Sequence, residues 1–229
     1  MRVDVVIPAF NEEPSLPLVL AAIPKAAVDR IVVVDNASSD GTAKAARAGG
    51  AIVVSEPHSG YGSACLAGLD YLRHHRPPDV VVFLDGDYSD HPDELPRLLE
   101  PIQNQQAQMV IGSRVLGKRE RGALLVQARL GNWIACSMIR WLYGHRYTDL
   151  GPFRAITWEG LESLAMRDTD FGWTAEMQVK ALRKGLEVTE VPVSYRRRVG
   201  VSKITGTLRG TIMAGYKILT TVMRYSRST

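Results

Sequence analysis

The stretch VVFLDGDYSDHPDEL (81–95) decides the fold. Residues 81 to 84 are apolar, and the run ends in Asp85, Gly86 and Asp87, with Asp90 three positions further on. A short apolar run closed by turn residues reads as a strand covered on both faces. His91 and Pro92 then open a helix, with proline in its tolerated first-turn place. Three carboxylates this close repel one another unless something positive lies among them. Asp90, at the start of the helix, is expected to serve as its cap.

The same pattern repeats on either side. VDVVIP (3–8), RIVVVD (30–35), AIVVSE (51–56), DVVVFLD (79–85) and AQMVIGS (107–113) alternate with helix-like segments at 14–28, 40–49, 59–76 and 92–105. Such alternation predicts an α/β fold: a mostly parallel central sheet, flanked by helices and joined by right-handed crossovers. Ligands of these sheets bind beyond the carboxyl ends of the strands. Three polar, acid-rich loops stand there: Pro8 to Glu13, Asp35 to Thr42, and Asp85 to Asp87.

Beyond residue 115 the pattern changes. Segment 123–144 repeats Leu124, Leu130, Trp133, Ile134, Met138, Trp141 and Leu142 at helical intervals. That stripe suits a core-facing helix, and its Trp and Met also suit lipid. A turn at 148–152, helices near 157–166 and 173–184, and a strand EVTEVPVSYR (187–196) follow. Residues 1–203 are read as one domain, with a ligand-binding half (1–115) and a second half (116–203). Residues 204–229 close the chain as an amphipathic basic helix.

With 45% hydrophobic and 23% charged residues, the composition is that of a globular protein rather than a disordered one. Cys65 and Cys136 lack CxxC spacing and read as buried small hydrophobes of a reducing compartment. No secretory signal pattern and no apolar run of about 18 residues are evident, so a cytoplasmic protein is expected. The net charge is +4, with Arg196, Arg197, Arg198, Lys203, Arg209, Lys217, Arg224 and Arg227 gathered near the end. That asymmetry calls for an anionic partner.

Two carboxylates at i and i+2 around a glycine can reach a divalent cation and a ribose from one tight loop. Mg²⁺ or Mn²⁺ bridging carboxylate and diphosphate oxygens would make their closeness tolerable, with Asp87 the direct ligand and Asp85 beside it. Phosphate binding through a Walker loop is excluded because GxxxxGK[ST] is absent. GxGxxG is absent too, and HSGYGSA supplies only a weaker glycine turn.

Taken together, IPAFNEE, VVDNASSDGT, HSGYGSA, FLDGDYSDHP, VIGSR, TDLGPFRA and the RxxGxSK pattern of Arg197, Gly200, Ser202 and Lys203 resemble the inverting family 2 glycosyltransferases of GT-A fold. Within them the chain is most similar to the dolichyl- or polyprenyl-phosphate sugar transferases. The resemblance implies a metal-dependent hexosyltransferase acting on a nucleotide sugar of the UDP-glucose or GDP-mannose type. Pro8, Phe10, Asn11 and Glu12 would line the nucleoside, Asp35 would hydrogen-bond the base, and Gly62 and Gly86 would lie against the donor. Asp85 would face ribose or diphosphate and Asp87 would hold the metal. Arg114, Arg197, Ser202 and Lys203 would form an acceptor-phosphate cradle. Where some relatives carry a metal-ligating Gln two residues after the second Asp, this chain has Ser89; His58 and Ser59 precede the glycine turn where many carry Lys or Asn.

A polyprenyl-phosphate acceptor is already anionic and needs no general base. An alcohol acceptor would need one, and Asp149 or Glu176 is then the candidate. The tail, RGTIMAGYKILTTVMRYSR, suits a helix on an anionic membrane face, on a neighbouring helix or on a second subunit of a homo-oligomer. A sugar nucleotidyltransferase would show a glycine- and arginine-rich loop after the first strand, where Ala9-Phe10-Asn11-Glu12 stands. A nucleic-acid-binding module would show interleaved basic and aromatic residues, which are not evident, so no nucleic-acid partner is expected.

Overall fold

The computed structural model describes residues 1–200 and 208–226. Seven strands form one sheet: β1 Val3–Ala9, β2 Arg30–Asp35, β3 Ile52–Ser55, β4 Val80–Phe83, β5 Met109–Ser113, β6 Arg154–Thr157 and β7 Val188–Pro192. Their order is β3-β2-β1-β4-β6-β5-β7. β1 pairs in parallel with β2 and with β4, and β5 with β7, while β6 runs antiparallel between β4 and β5. The order reverses between β1 and β4, which leaves a crevice beyond their carboxyl ends.

Among the described residues, eight helices cover the sheet: α1 Leu16–Ala22, α2 Thr42–Ala48, α3 Tyr61–His74, α4 Leu95–Gln103, α5 Val126–Tyr143, α6 Trp158–Leu164, α7 Trp173–Arg183 and α8 Leu208–Ser226. Side chains alternate across each strand, so β4 sends Val81 and Phe83 to one core and Val80 and Val82 to the other. The first core packs α3, α5, α6, α7 and Val222 of α8; the second packs α1, α4 and Ala46 of α2. With strands buried on both faces, the period-2 signal gives way to the continuous apolar runs seen in the sequence.

Three sequence expectations change. β6 was missing from the reading because Arg-Ala-Ile-Thr (154–157) is only four residues long, directly after a proline-bearing turn, and shows no apolar run. Helix 14–28 shortens to α1, since Pro24 ends it and a single 3-10 turn follows at Lys25–Ala27. Asp90 does not cap α4. It is 1% exposed, and neither of its carboxylate oxygens has a hydrogen-bond partner. The chain instead bends back at 195–196: Arg196 N donates to the Ser89 carbonyl at 2.9 Å, and Asp90 and Tyr195 form an isolated antiparallel bridge.

The amphipathic C-terminal helix exists from Leu208 onward and lies on α5 and α7. Val222 is fully buried, Tyr143 donates to its carbonyl at 2.8 Å, and the Tyr225 hydroxyl donates to Glu176 Oε1 at 2.7 Å. Ser202 and Lys203, and the expected start of the helix at 204, lie outside the described residues.

Candidate active site

A cavity of about 400 Å³ opens at the strand-order reversal. Its walls come from the end of β1 (Pro8, Ala9, Phe10, Glu12), from Asn36, from the turn into α3 (Ser59, Gly60, Tyr61, Ala64), from Asp85-Gly86-Asp87, and from Asp170, Phe171 and Arg198. The apolar strands stop here because the chain must turn. Polar groups left at the strand ends therefore point into a shared crevice rather than into the core.

Asp85 Oδ1 is buried with no hydrogen-bond partner. Burial, reinforced by the charge of Asp87, pushes the Asp85 carboxyl up to about 7. Asp87, 5% exposed, is held differently: its Oδ1 accepts from the backbone N of Ser89 at 2.8 Å and from Ser89 Oγ at 2.5 Å, while Oδ2 lies 3.1 Å from Arg198 Nη2. Ser89 thus fixes the direction of Asp87. The same guanidinium lies 3.5 Å from Glu12 Oε1, whose other oxygen accepts from Ser15 Oγ at 2.7 Å. Val199 N donates to the Asp87 carbonyl at 3.0 Å, which brings the 195–199 segment alongside the DGD loop.

The glycine turn is set by a close approach. Gly60 has φ +146°, and a Cβ on either Gly60 or Gly62 would overlap the backbone carbonyl of Thr169 or Asp168. These contacts seat loop 167–172 over the cavity, where Asp170 and Phe171 form part of its wall. Asn36 ties the second loop to the turn, donating to the carbonyls of Glu56 (3.1 Å) and His58 (2.8 Å) and accepting from Gly60 N at 2.9 Å.

Pro8, Phe10, Glu12, Asp85, Gly86 and Asp87 come together around this cavity. Asn11, Asp35 and Gly62 do not line it. Asn11 accepts from Ser39 N at 2.8 Å, Asp35 accepts from Ser38 N at 3.3 Å, and Gly62 packs under Asp168. These three shape the loops around the wall.

Asp149 and Glu176 are not poised as bases. Asp149 is fully buried and grips Arg114 bidentately, with Oδ2 to Nε at 2.8 Å and Oδ1 to Nη2 at 2.7 Å. It also accepts from the Arg114 backbone N at 2.8 Å. Burial would lower the Arg114 pKa, but Asp149 outweighs it and holds it well above the usual value. Glu176 is fully buried beneath loop 167–172, bound by Lys180 at 2.6 Å, the Tyr225 hydroxyl, and the amides of Arg167 and Asp168. Burial pulls its pKa up, but those partners together hold it below the ordinary carboxylate value.

The three consecutive arginines take different directions. Arg197 faces away from the cavity, its backbone N on Glu120 and its guanidinium on the Arg121 carbonyl at 2.7 and 2.9 Å. Arg198 lines the cavity instead, and Arg196 stacks over the Tyr88 ring at 3.8 Å. Alternation along an extended segment explains the reversal, and no sequence signal separated the three arginines. Arg154 was missed as well. It is fully buried and donates to the carbonyls of Gly151, Leu150 and Thr174, and burial lowers its pKa to about 10.

An acid-lined crevice at the reversal of a parallel sheet defines an α/β ligand-binding architecture, and comparison gives it a family. The sequence profile of Glycosyl transferase family 2 matches residues 4–154. A Mycobacterium tuberculosis protein described as an uncharacterized glycosyltransferase is 40% identical, over 93% of this chain and 94% of its own. The undecaprenyl-phosphate mannosyltransferase of Micrococcus luteus is 32% identical, over 92% of this chain and 90% of its own. Among solved structures, glucosyl-3-phosphoglycerate synthase of Mycobacterium tuberculosis, crystallised with Mn²⁺, UDP and phosphoglyceric acid, superposes with a TM-score of 0.79 at 22% identity, covering 100% of this chain and 79% of that one. The chain belongs to glycosyl transferase family 2 and has the GT-A fold. It is a glycosyltransferase.

Proposed function

We propose that this enzyme transfers a hexose, with inversion, from a nucleoside diphosphate sugar to a polyprenyl phosphate. The observation that carries the choice of acceptor is the state of Asp149 and Glu176. Each is fully buried and saturated by a cation and backbone amides, so neither is free to take a proton from an alcohol. A phosphate monoester brings its own anionic oxygen, and the similarity to an undecaprenyl-phosphate mannosyltransferase favours the same acceptor class.

The nucleoside diphosphate lies in the 400 Å³ cavity, with its base between the Phe10 and Asn36 walls and its diphosphate toward Asp85 and Asp87. These carboxylates fit a hard divalent cation, Mg²⁺ or Mn²⁺, because Asp85 Oδ1 is buried and unpartnered and Asp87 is aimed by Ser89. Asp85 and Asp87 would hold such a cation together with oxygens of the donor diphosphate. When bound, the cation supplies charge neutralisation for the departing nucleoside diphosphate.

The chain's own residues do the rest. Asp87 and Asp85 orient the diphosphate, Arg198 moves from the carboxylates toward the phosphate charge, and loop 167–172 shields the sugar from water. The acceptor phosphate oxygen attacks the anomeric carbon from the face opposite the diphosphate. A new C–O bond forms as the old one breaks, and the electron pair leaves with the nucleoside diphosphate. Positioning and electrostatic stabilisation carry the acceleration. Arg114, neutralised by Asp149, frames the end of β5 beside the site.

The test is transfer to a short-chain prenyl phosphate in detergent, with UDP-glucose and GDP-mannose as donors and Mg²⁺ or Mn²⁺ present. Product with one donor, abolished by Asp87→Asn, is expected. Transfer to an alcohol of the same chain length but not to its phosphate would overturn the acceptor.

A further inference from the structure

We infer that the exposed face of α5, not the C-terminal helix, is the surface by which this protein docks on an anionic lipid bilayer. The inference rests on the lipid-acceptor reading for its purpose and on the surface itself for its argument. Val126, Leu130, Trp133 and Trp141 are exposed by 77, 56, 66 and 82%, and Ile134 by 38%. They fall with Arg129, Ser137 and Arg140 at i, i+3, i+4 and i+7 spacing, so they share one stripe, while Ala135, Cys136 and Ile139 bury the opposite side. Three exposed aliphatic residues and two exposed tryptophans on one helix form a larger apolar patch than a protein that stays in water ordinarily keeps.

Charge picks the partner. Between Arg121 and Thr148 the sequence holds no Asp or Glu, yet it holds Arg129, Arg140 and Arg146. Along this face a groove of about 610 Å³ is lined by Arg119, Arg129, Arg140 and Arg146 together with Leu130 and Trp133. None of these arginines forms an ion pair among the described residues. An apolar stripe with Trp, flanked by unpaired arginines, is the composition of a helix lying in a membrane interface and drawn by anionic headgroups. No described helix is long and apolar enough to cross a membrane.

The C-terminal helix is anchored to the body of the protein along one side. Lys217 is paired with Asp168 at 3.0 Å, Val222 is in the core, and Tyr225 holds Glu176. The α5 face also adjoins the chemistry: Asn132 donates to the Thr148 carbonyl and accepts from Leu150 N, both at 2.9 Å, which fixes α5 to the loop carrying Asp149 and, through it, Arg114. A bilayer under α5 would present lipid phosphates at that loop.

Vesicle flotation of the full chain, without donor or acceptor, tests this. The protein is expected to float with phosphatidylcholine vesicles containing phosphatidylglycerol, weakly with phosphatidylcholine alone, and less as salt rises. Trp133→Ser with Trp141→Ser, and separately Arg129→Gln with Arg140→Gln, should each reduce binding about tenfold or more; Tyr216→Ser on α8 should not. Unchanged thermal unfolding of the variants shows that folding is intact. A protein that stays in solution at low salt overturns the proposal, as does a tryptophan variant that floats like the parent. So does a dimer in sedimentation that the tryptophan changes disperse without any vesicle binding. Flotation without prenyl-phosphate transfer in detergent overturns the acceptor reading alone; transfer without flotation overturns the docking surface alone.

Discussion

Two pairs of buried carboxylates lie at the same end of the molecule in opposite states. Asp149 and Glu176 have every charge matched by a cation or an amide. Asp85 and Asp87 stand two residues apart, with one oxygen unpartnered and an arginine shared between Asp87 and Glu12. Removing a matched carboxylate strands its partner, so that pair is part of the frame. Asp87 is matched by Ser89 and Arg198, whereas Asp85 Oδ1 is left without a partner, a cost to stability that a bound cation would repair.

The sharpest way to break this contrast is Asp149→Ala. It leaves Arg114 buried and uncompensated, and a loss of about 3–5 kcal/mol in urea unfolding is expected. A stable variant with lost activity would instead make Asp149 a member of the reacting group. Asp87→Asn should do the reverse: transfer falls on the order of 100-fold or more while the unfolding midpoint hardly changes, because the amide oxygen still accepts from Ser89.

Glu176→Gln tests the matched pair more gently. A loss of about 1–3 kcal/mol is expected at neutral pH, since Lys180 loses its charge partner. The Glu176 pKa is lowered on folding from 4.5, so the unfolded chain binds the proton more readily. Its contribution is full above about 4.5 and lost as pH falls through the folded value, so the parent and variant curves should converge in acid. A gap that persists unchanged at low pH would show that packing, not charge, carries the effect.

Asp85 has the opposite sign. Its folded value of about 7 lies above the ordinary 3.8, so the native protein holds a proton that the unfolded chain has released. The ligand-free protein should lose stability as pH rises across that window and level off above about 7. Divalent cation with nucleoside diphosphate competes with that proton, so its stabilisation in a thermal-shift titration should be larger above pH about 7 than below it. Asp85→Asn should flatten that dependence. The smallest effect is expected from Lys217→Ala: its pair with Asp168 is partly exposed and worth at most about 1 kcal/mol, measured by urea unfolding.

Much of the fold was legible because burial on both faces of a parallel sheet leaves apolar runs that need no knowledge of their neighbours. β6 was not, since four residues without an apolar run carry no period, and its place between β4 and β5 is decided by pairing alone. At the site, the grouping of Pro8, Phe10, Glu12 and the DGD loop around one cavity followed from their positions at strand ends. That Arg198 joins the cavity wall while Arg197 turns to the Arg121 carbonyl was not legible, because adjacent residues of an extended chain face opposite ways and three consecutive arginines carry no signal to tell them apart.

By itself, the sequence determined the parallel α/β architecture, the edge of the sheet that binds ligand, and the crowding of Asp85 and Asp87, all of which are local in the chain. Only the tertiary structure decided which carboxylates are matched and which are not. The partners of Asp149 and Glu176 include Arg114 and Tyr225, 35 and 49 residues away, and a charge is satisfied by what folds against it in space rather than by what precedes it in sequence.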